Sequence, residues 1–303
     1  MLVMEALQWA NDILKTRPDH GQSNLDSPML DVEVLLAAVL DVGKPWLFTH
    51  LDCPLTPKQE ERFHTFIRRR AAFEPVAYIV GSKEFYKRRF QVNRFVLIPR
   101  PATESLVEHA LSAASGPERD QTVFADIGTG SGAIAVTLAA ESRLPVFATD
   151  ISRQAVAIAK TNATEHRVDD LVDVRQGNLI EPVVRVLTSV SSTHPDAIRR
   201  LVLCANLPYL THFQVETGQR EVRDFEPREA LVAGQDGLDA YWDLFRQLKK
   251  HRQTLPKSLG VLIEIDPSQR QAVTDLICHD FTYAQPTVHK DLDGFDRIVA
   301  SEL

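Results

Sequence analysis

The sequence predicts an α/β protein with a doubly wound parallel sheet, preceded by a small helical domain and a linking β-hairpin. Three observations support this fold class. The length of 303 residues suits about two domains. Helical patterns fill the first quarter of the chain, and short apolar strands alternate with helical segments from about residue 121 onward. The 44% of hydrophobic and 25% of charged residues exclude disordered, collagen-like and low-complexity chains.

We expect residues 1–75 to form the helical domain. Ser27-Pro28 predicts a helix start, and apolar residues spaced three and four apart follow it until Gly43 offers a stop. A second start lies at Thr56-Pro57-Lys58-Gln59, where the threonine and glutamine can form a capping box. The basic run Arg68 to Arg70 is expected mostly outside the buried face of that helix, which is marked by Phe63, Phe66, Ile67 and Ala71.

Residues 76–100 are expected to link the two domains as a β-hairpin. Between Tyr78 and Ile98 the pattern changes to aromatic and β-branched residues, with charges gathered around Lys87 to Arg89.

Residues 101–303 show the alternation that is typical of a parallel sheet with helices on both faces. The apolar strands are VFADI, PVFATD, LVDVRQGN, LVLCANLPY and LGVLIEI, and the helical segments AIAVTLAA and SRQAVAIAKTNA follow the first two. Ligands of such sheets bind beyond the carboxyl ends of the strands, so we expect the site there. Residues 181–199 carry no clear signal and are interpreted as a long connection or an irregular helix.

A glycine-rich loop follows the first of these strands and opens a helix. The glycines let the backbone turn tightly and approach a ligand. The run also satisfies GxGxxA, a variant of the dinucleotide fingerprint, and Asp150 at the end of the next strand can bind a ribose hydroxyl in either case. The glycines alone therefore leave S-adenosylmethionine and NAD both open. The loop residues are Asp126, Ile127, Gly128, Thr129, Gly130, Ser131, Gly132 and Ala133.

The charge of Asp126 favours S-adenosylmethionine. A carboxylate just before the loop would repel the pyrophosphate of NAD and attract an ammonium or sulfonium group. Asn178, at the end of the third strand, is placed to meet the adenine through its side-chain amide. We therefore predict a Rossmann-like class I S-adenosylmethionine-dependent methyltransferase domain.

The tetrapeptide Asn206-Leu207-Pro208-Tyr209, at the end of the fourth strand, is the candidate catalytic element. An amide or aniline-type nitrogen is a weak nucleophile because its lone pair is delocalised. The Asn206 side-chain oxygen and the backbone carbonyl of Leu207 or Pro208 can accept its two N–H bonds and aim the lone pair at the methyl group. Tyr209 is expected to pack against the planar group.

The sequence resembles the HemK/PrmC family, whose members methylate a glutamine side chain in peptide chain release factors. The resemblance covers nearly the whole chain and includes EPVAYIVGSKEF, LIPRPATE, the glycine loop, the tetrapeptide and FEPREALVAGQDGLDAY. It implies that Gly128 to Gly132, Asp150 and Asn206 contact the cofactor. It also implies that Asn206 to Tyr209 bind the glutamine amide, that Pro99 and Arg100 border the cofactor pocket, and that the helical domain helps to hold the release factor.

Three positions depart from the family pattern. Leu207 stands where the family usually has proline, Asn178 replaces a more usual acidic residue, and Asp266 stands where a glycine is expected after Glu264. None removes a group that the proposed chemistry requires. Leu207 also makes the tetrapeptide similar to that of rRNA adenine dimethylases.

Other functions stay open at this point. They are glutamine methylation of a ribosomal protein, adenine methylation of RNA or DNA, and a cofactor-binding module without turnover. The net charge of −7 argues against nucleic acid as the substrate.

Cysteine and histidine spacings indicate neither a structural zinc nor a disulfide framework. Without a membrane-length apolar run or a signal sequence, we expect a cytoplasmic enzyme with no membrane partner.

Overall fold

The computed structural model describes residues 1–16, 27–193, 197–291 and 293–303. In this part of the chain the helices are α1 Val3–Lys15, α2 Pro28–Leu40, α3 Lys44–Thr49, α4 Pro57–Ala71, α5 Val76–Val80, α6 Glu104–Ala113, α7 Ala133–Ser142, α8 Arg153–Glu165, α9 Glu181–Thr193, α10 His212–Thr217, α11 Arg220–Phe225, α12 Asp239–His251 and α13 Arg270–Asp280. The strands are β1 Ser82–Phe85, β2 Arg88–Gln91, β3 Thr122–Ile127, β4 Val146–Asp150, β5 Val172–Gln176, β6 Arg200–Ala205, β7 Ser258–Glu264, β8 Thr287–Lys290 and β9 Asp296–Glu302.

The chain divides into two compact units. The first joins Met1–Ser82 with Phe213–Glu226, and the second joins Lys83–His212 with Pro227–Leu303. The sequence pattern does not indicate that 213–226 belongs with the N-terminal helices. The predicted bounds 1–75, 76–100 and 101–303 remain a proposal.

Helix starts in the first unit follow the predicted local chemistry. The backbone N–H of Leu30 donates to the Ser27 hydroxyl at the start of α2. At the start of α4, the N–H of Gln59 donates to the Thr56 hydroxyl, and the N–H of Thr56 donates to the Gln59 side chain at 2.9 Å. This reciprocal pair confirms the predicted capping box. Helix α2 ends at Asp41, which adopts a left-handed conformation, two residues before the predicted Gly43 stop.

Arg70 corrects one expectation. The sequence placed it mostly outside the buried face of α4, but it is only 3% exposed. Its guanidinium donates to Asp31 at 2.7 Å and to Glu221 at 2.9 Å, and it also donates to the carbonyl of Glu74. A buried cation requires this kind of neutralisation, which depends on residues far away in sequence.

The second unit contains a seven-stranded sheet in the order β5-β4-β3-β6-β7-β9-β8. Strands β3 to β7 pair in parallel, whereas β9 runs antiparallel to β7 and β8 antiparallel to β9. Buried residues of α6, α7 and α8 form one core on one face, and those of α9, α12 and α13 form a second core. The parallel sheet with helices on both faces is confirmed, while β8 and β9 were not predicted.

Residues 181–193 form the regular helix α9, so the expectation of a long connection does not hold there. Val183, Val184 and Leu187 are buried in the second core, which explains why a segment rich in valine, serine and threonine is helical. Residues 194–196 of the predicted connection lie outside the described residues.

The predicted hairpin region holds β1 and β2, which form a separate two-stranded sheet. Within the described chain, none of the helices combines the length and apolarity of a membrane span.

Candidate active site

A cavity of about 240 Å³ lies in the second unit at the carboxyl ends of β3, β4 and β6. Strand β3 sits between β4 and β6, so successive connections leave it in opposite directions and open a crevice above it. Most of the predicted site residues line this cavity. They are Gly128, Thr129, Gly130, Ser131, Asp150, Asn178, Asn206, Leu207 and Pro208, together with Pro99 and Arg100.

The glycine loop packs directly against the tetrapeptide. Gly128 has φ +75°, and a Cβ atom there would lie 2.8 Å from Leu207 Cδ2. A side chain at this position would therefore be strained in its backbone and would collide with its neighbour. Two successive loop N–H groups, of Gly128 and Thr129, both donate to the Thr149 carbonyl at 2.9 Å. The close approach brings loop and tetrapeptide to one wall of the cavity.

Asp126 lies beneath the loop with no exposed surface. Its Oδ2 accepts from the Thr129 hydroxyl at 2.6 Å and from the Ala135 N–H at 3.1 Å. Oδ1 has no hydrogen-bond partner among the described residues. Burial raises the pKa of Asp126 from 3.8 to about 7, because desolvation disfavours the charged carboxylate. The sequence pattern indicated a charge facing the ligand, whereas the structure places Asp126 as a support of the loop.

Gly132 lies at the far end of the loop. A Cβ atom there would lie 3.1 Å from Ala159 of α8, so this glycine allows the start of α7 to pack against α8. Its position is that of a packing residue.

Asp150 stands at the end of β4 in the cavity wall. Its Oδ2 accepts from the Gly130 N–H at 2.8 Å, and its Oδ1 accepts from the Ser152 N–H at 2.9 Å. Burial raises the pKa of Asp150, and the nearby Glu229 carboxylate adds to the rise. Glu229 also lines the cavity, where it faces the same space as the Arg100 guanidinium.

Asn206 is half-buried at the end of β6, and its side-chain nitrogen Nδ2 donates to Thr103 Oγ1 at 3.1 Å. The Thr103 and Tyr209 hydroxyls both lie beside the carboxyl group of Glu264, at the end of β7. The Oε2 atom of Glu264 has no hydrogen-bond partner among the described residues. Glu264 is 1% exposed. Desolvation raises its pKa, although the two hydroxyls and the nearby Arg297 guanidinium favour the charged form.

The backbone of Tyr209 is held from the opposite side. Gln269 Nε2 donates to the Tyr209 carbonyl at 2.9 Å and to the Gly237 carbonyl at 3.1 Å. A Cβ atom at Gly237, where φ is +76°, would lie only 2.1 Å from the Tyr209 oxygen. Gly237 therefore permits an approach that no other residue allows. Asp266 caps the 3-10 turn Pro267–Gln269, with its side chain accepting from the Ser268 N–H.

Sequence reasoning missed four residues of this arrangement, namely Thr103, Glu229, Glu264 and Gln269. The signals were present in part, since Thr103 lies within LIPRPATE and Glu229 within FEPREAL. Glu264 is an acidic residue near the end of the apolar run LGVLIEI, and burial of a charge there needs a partner. Gln269 carries no comparable signal.

Comparisons with known proteins cover both units. Two family models match the chain, the PrmC N-terminal domain over residues 5–81 and the Methyltransferase small domain over residues 101–190. The chain is 33% identical to the Release factor glutamine methyltransferase of Bacillus cereus, with 100% of each chain covered. It is 37% identical to the protein of the same name from Nitratidesulfovibrio vulgaris, over 91% of this chain and 89% of that relative.

Among solved structures, the human hMettl16 catalytic domain in complex with MAT2A 3'UTR hairpin 6 superposes with a TM-score of 0.53. It is 12% identical to this chain, and the match covers 80% of each chain. At this identity the likeness shows a shared fold alone.

Proposed function

The chain belongs to the release factor glutamine methyltransferase family, and we propose that it transfers a methyl group from S-adenosylmethionine to the glutamine side chain of the Gly-Gly-Gln motif in peptide chain release factors. The observation that carries the proposal is the position of Asn206, Leu207 and Pro208 in the cavity wall, against the glycine loop. Acceptors for a planar NH2 group and a nucleoside-binding loop thereby face one space.

The residues of the cavity fit S-adenosylmethionine. Its charged wall groups, among the described residues, are the Asp150 and Glu229 carboxylates and the Arg100 guanidinium. This excess of negative charge suits a cationic ligand and disfavours a pyrophosphate. We assign the loop from Gly128 to Ser131, Asp150 and Asn178 to cofactor binding. When bound, S-adenosylmethionine supplies an electrophilic methyl group on a positively charged sulfur.

The protein's own contribution is to hold the amide nitrogen. The Asn206 side-chain oxygen and a backbone carbonyl of Leu207 or Pro208 accept its two N–H bonds, which directs the lone pair toward the methyl carbon and stabilises the positive charge that develops on nitrogen. S-adenosylmethionine held by the loop from Gly128 to Ser131 and by Asp150 would supply the methyl group to this nitrogen, which would afterwards lose a proton to water. Positioning the two atoms about 3 to 3.5 Å apart supplies most of the rate.

The structure gives less support to a nucleic-acid substrate. The basic run Arg68 to Arg70 is one of two concentrated basic segments, and the buried Arg70 is already paired with Asp31 and Glu221. A phosphate backbone would therefore meet a weaker basic surface than the sequence suggests.

A methyl-transfer assay tests the proposal. Purified release factor, ribosomal protein and rRNA are offered side by side with methyl-labelled cofactor, together with a release factor in which the motif glutamine is alanine. We expect label in the unmodified release factor alone. Asn206→Ala should lower turnover while cofactor affinity, measured by calorimetry, changes little. Label found only in RNA or only in the ribosomal protein would overturn the assignment.

A further inference from the structure

We propose that Thr103 and Glu264 are positioning residues that fix the orientation of the Asn206 amide, so that its oxygen rather than its NH2 group is presented to the substrate. The inference rests on the proposed function, because it concerns how the same site tells a glutamine amide from a carboxylate. Neither residue needs to touch the substrate for this role.

The count of hydrogens sets the orientation. Threonine has one hydroxyl hydrogen, and the charged Glu264 carboxylate beside Thr103 is a stronger acceptor for it than an amide oxygen. The Thr103 oxygen can therefore only accept from Asn206, with which it is in contact at 3.1 Å. Only the Nδ2 end of Asn206 can donate such a bond. A flipped amide would put two acceptor oxygens against each other.

The series of hydrogen bonds that starts at Asn206 and passes through Thr103 ends at Glu264, which in its charged form cannot donate a hydrogen bond. The Thr103 and Tyr209 hydroxyls lie beside its carboxylate. Its Oε2 atom has no partner among the described residues. Thr103 is 4% and Glu264 1% exposed, so water competes little for these bonds. The Arg297 guanidinium lies close enough to favour the charged form of Glu264. Arg297 is itself held by Asp291 at 3.0 Å and by the Ile265 carbonyl at 3.2 Å.

The consequence is a choice between substrates. With Nδ2 committed to Thr103, the Asn206 oxygen is the end left to accept an N–H bond from the target side chain. A glutamine offers two such hydrogens, whereas a glutamate at the same position offers none and would face an acceptor with an acceptor. Sites built on directed hydrogen bonds reject such analogues strongly.

Thr103→Val tests the network with little change in side-chain volume, because valine replaces the hydroxyl with a methyl group. We expect kcat on release factor to fall about 10- to 100-fold, with KM and cofactor Kd within about 3-fold of the unmodified enzyme. Thr103→Ser restores the hydroxyl and should keep kcat within about 3-fold. If Thr103 served only to fill space, the loss of kcat would not depend on whether the substituted residue carries a hydroxyl group.

A binding measurement gives a second readout. Release factors carrying glutamine or glutamate in the motif are titrated into enzyme saturated with S-adenosylhomocysteine. The unmodified enzyme should bind the glutamine form more tightly than the glutamate form. In Thr103→Val the Asn206 amide is free to flip, so the ratio of the two Kd values should fall about 10-fold. If Thr103→Val does not fold, Thr103→Ala is measured against Thr103→Ser in the same way.

The outcomes separate the two claims. If the unmodified enzyme does not methylate release factor, the proposed function fails. If it does, but the hydroxyl-free variant keeps both its kcat and its glutamine preference, the positioning role of Thr103 and Glu264 is refuted.

Discussion

Replacing Asp126 by asparagine should change how the stability of the protein depends on pH. Burial raises the pKa of Asp126 from 3.8 to about 7. A group whose pKa is higher in the folded state stabilises the fold below its unfolded pKa, and this contribution is lost as the pH rises through the folded value. For these two pKa values the free energy of unfolding falls by about 2.5 kcal/mol between pH 5 and pH 8.

Asparagine keeps the shape and an oxygen that can accept from Thr129 and Ala135, but it does not ionise. Asp126→Asn should therefore lack this contribution, so its stability relative to the unmodified protein should improve by about 2.5 kcal/mol from pH 5 to pH 8. Whatever constant cost the new buried NH2 group adds cancels in that difference.

Urea unfolding followed by circular dichroism at four pH values between 5 and 8 measures the effect. Asp120→Asn is the matched control, because the Asp120 side chain is 96% exposed. Parallel curves for Asp126→Asn and the unmodified protein would refute the reasoning, since they would mean that the folded environment does not disfavour the charged carboxylate.

Three further predictions concern the site and the helical unit. Gly237→Ala should lower kcat at least 10-fold, measured by methyl transfer, because the added carbon would lie 2.1 Å from the Tyr209 carbonyl oxygen. Asp150→Ala should weaken cofactor affinity about 10-fold in calorimetry while kcat at saturating cofactor changes less; an unchanged Kd would count against its assignment. Arg70→Ala should destabilise the helical unit by about 2 to 3 kcal/mol in urea unfolding, since it leaves two carboxylates without their cation. Equal urea midpoints of unfolding for Arg70→Ala and the unmodified protein would contradict the predicted loss of stability.

Local chemistry explains which parts of the fold could be predicted from the sequence. The capping box of α4 involves residues three apart, and the strands β3 to β7 are apolar runs, so both are visible in a short window. Strands β8 and β9 mix charged and apolar residues, and their place at the sheet edge depends on pairing with β7 and with each other. Helix α9 is stabilised by burial of its valines against the sheet, which outweighs their modest helix propensity.

The same distinction holds for the site. The glycine loop and the tetrapeptide each follow a strand, Asp150 is the last residue of another, and parallel strands bring their carboxyl ends together. Thr103 lies 103 residues from Asn206, and Arg70 lies 151 residues from Glu221, so only the tertiary structure shows these pairs. The orientation of Asp126 could not be predicted either, because a sequence reveals that a charge is near a loop but not on which side of the loop the side chain lies.

The division of the helical unit into two sequence segments has a consequence for synthesis of the chain. Arg70 meets Asp31 early, but Glu221 is made 151 residues later. A nascent chain on the ribosome therefore lacks one of the two carboxylates that pair with Arg70 until most of the polypeptide has emerged. An excised N-terminal fragment would keep that defect permanently, so a stable isolated version of this unit has to include the segment Phe213–Glu226 through a designed connection.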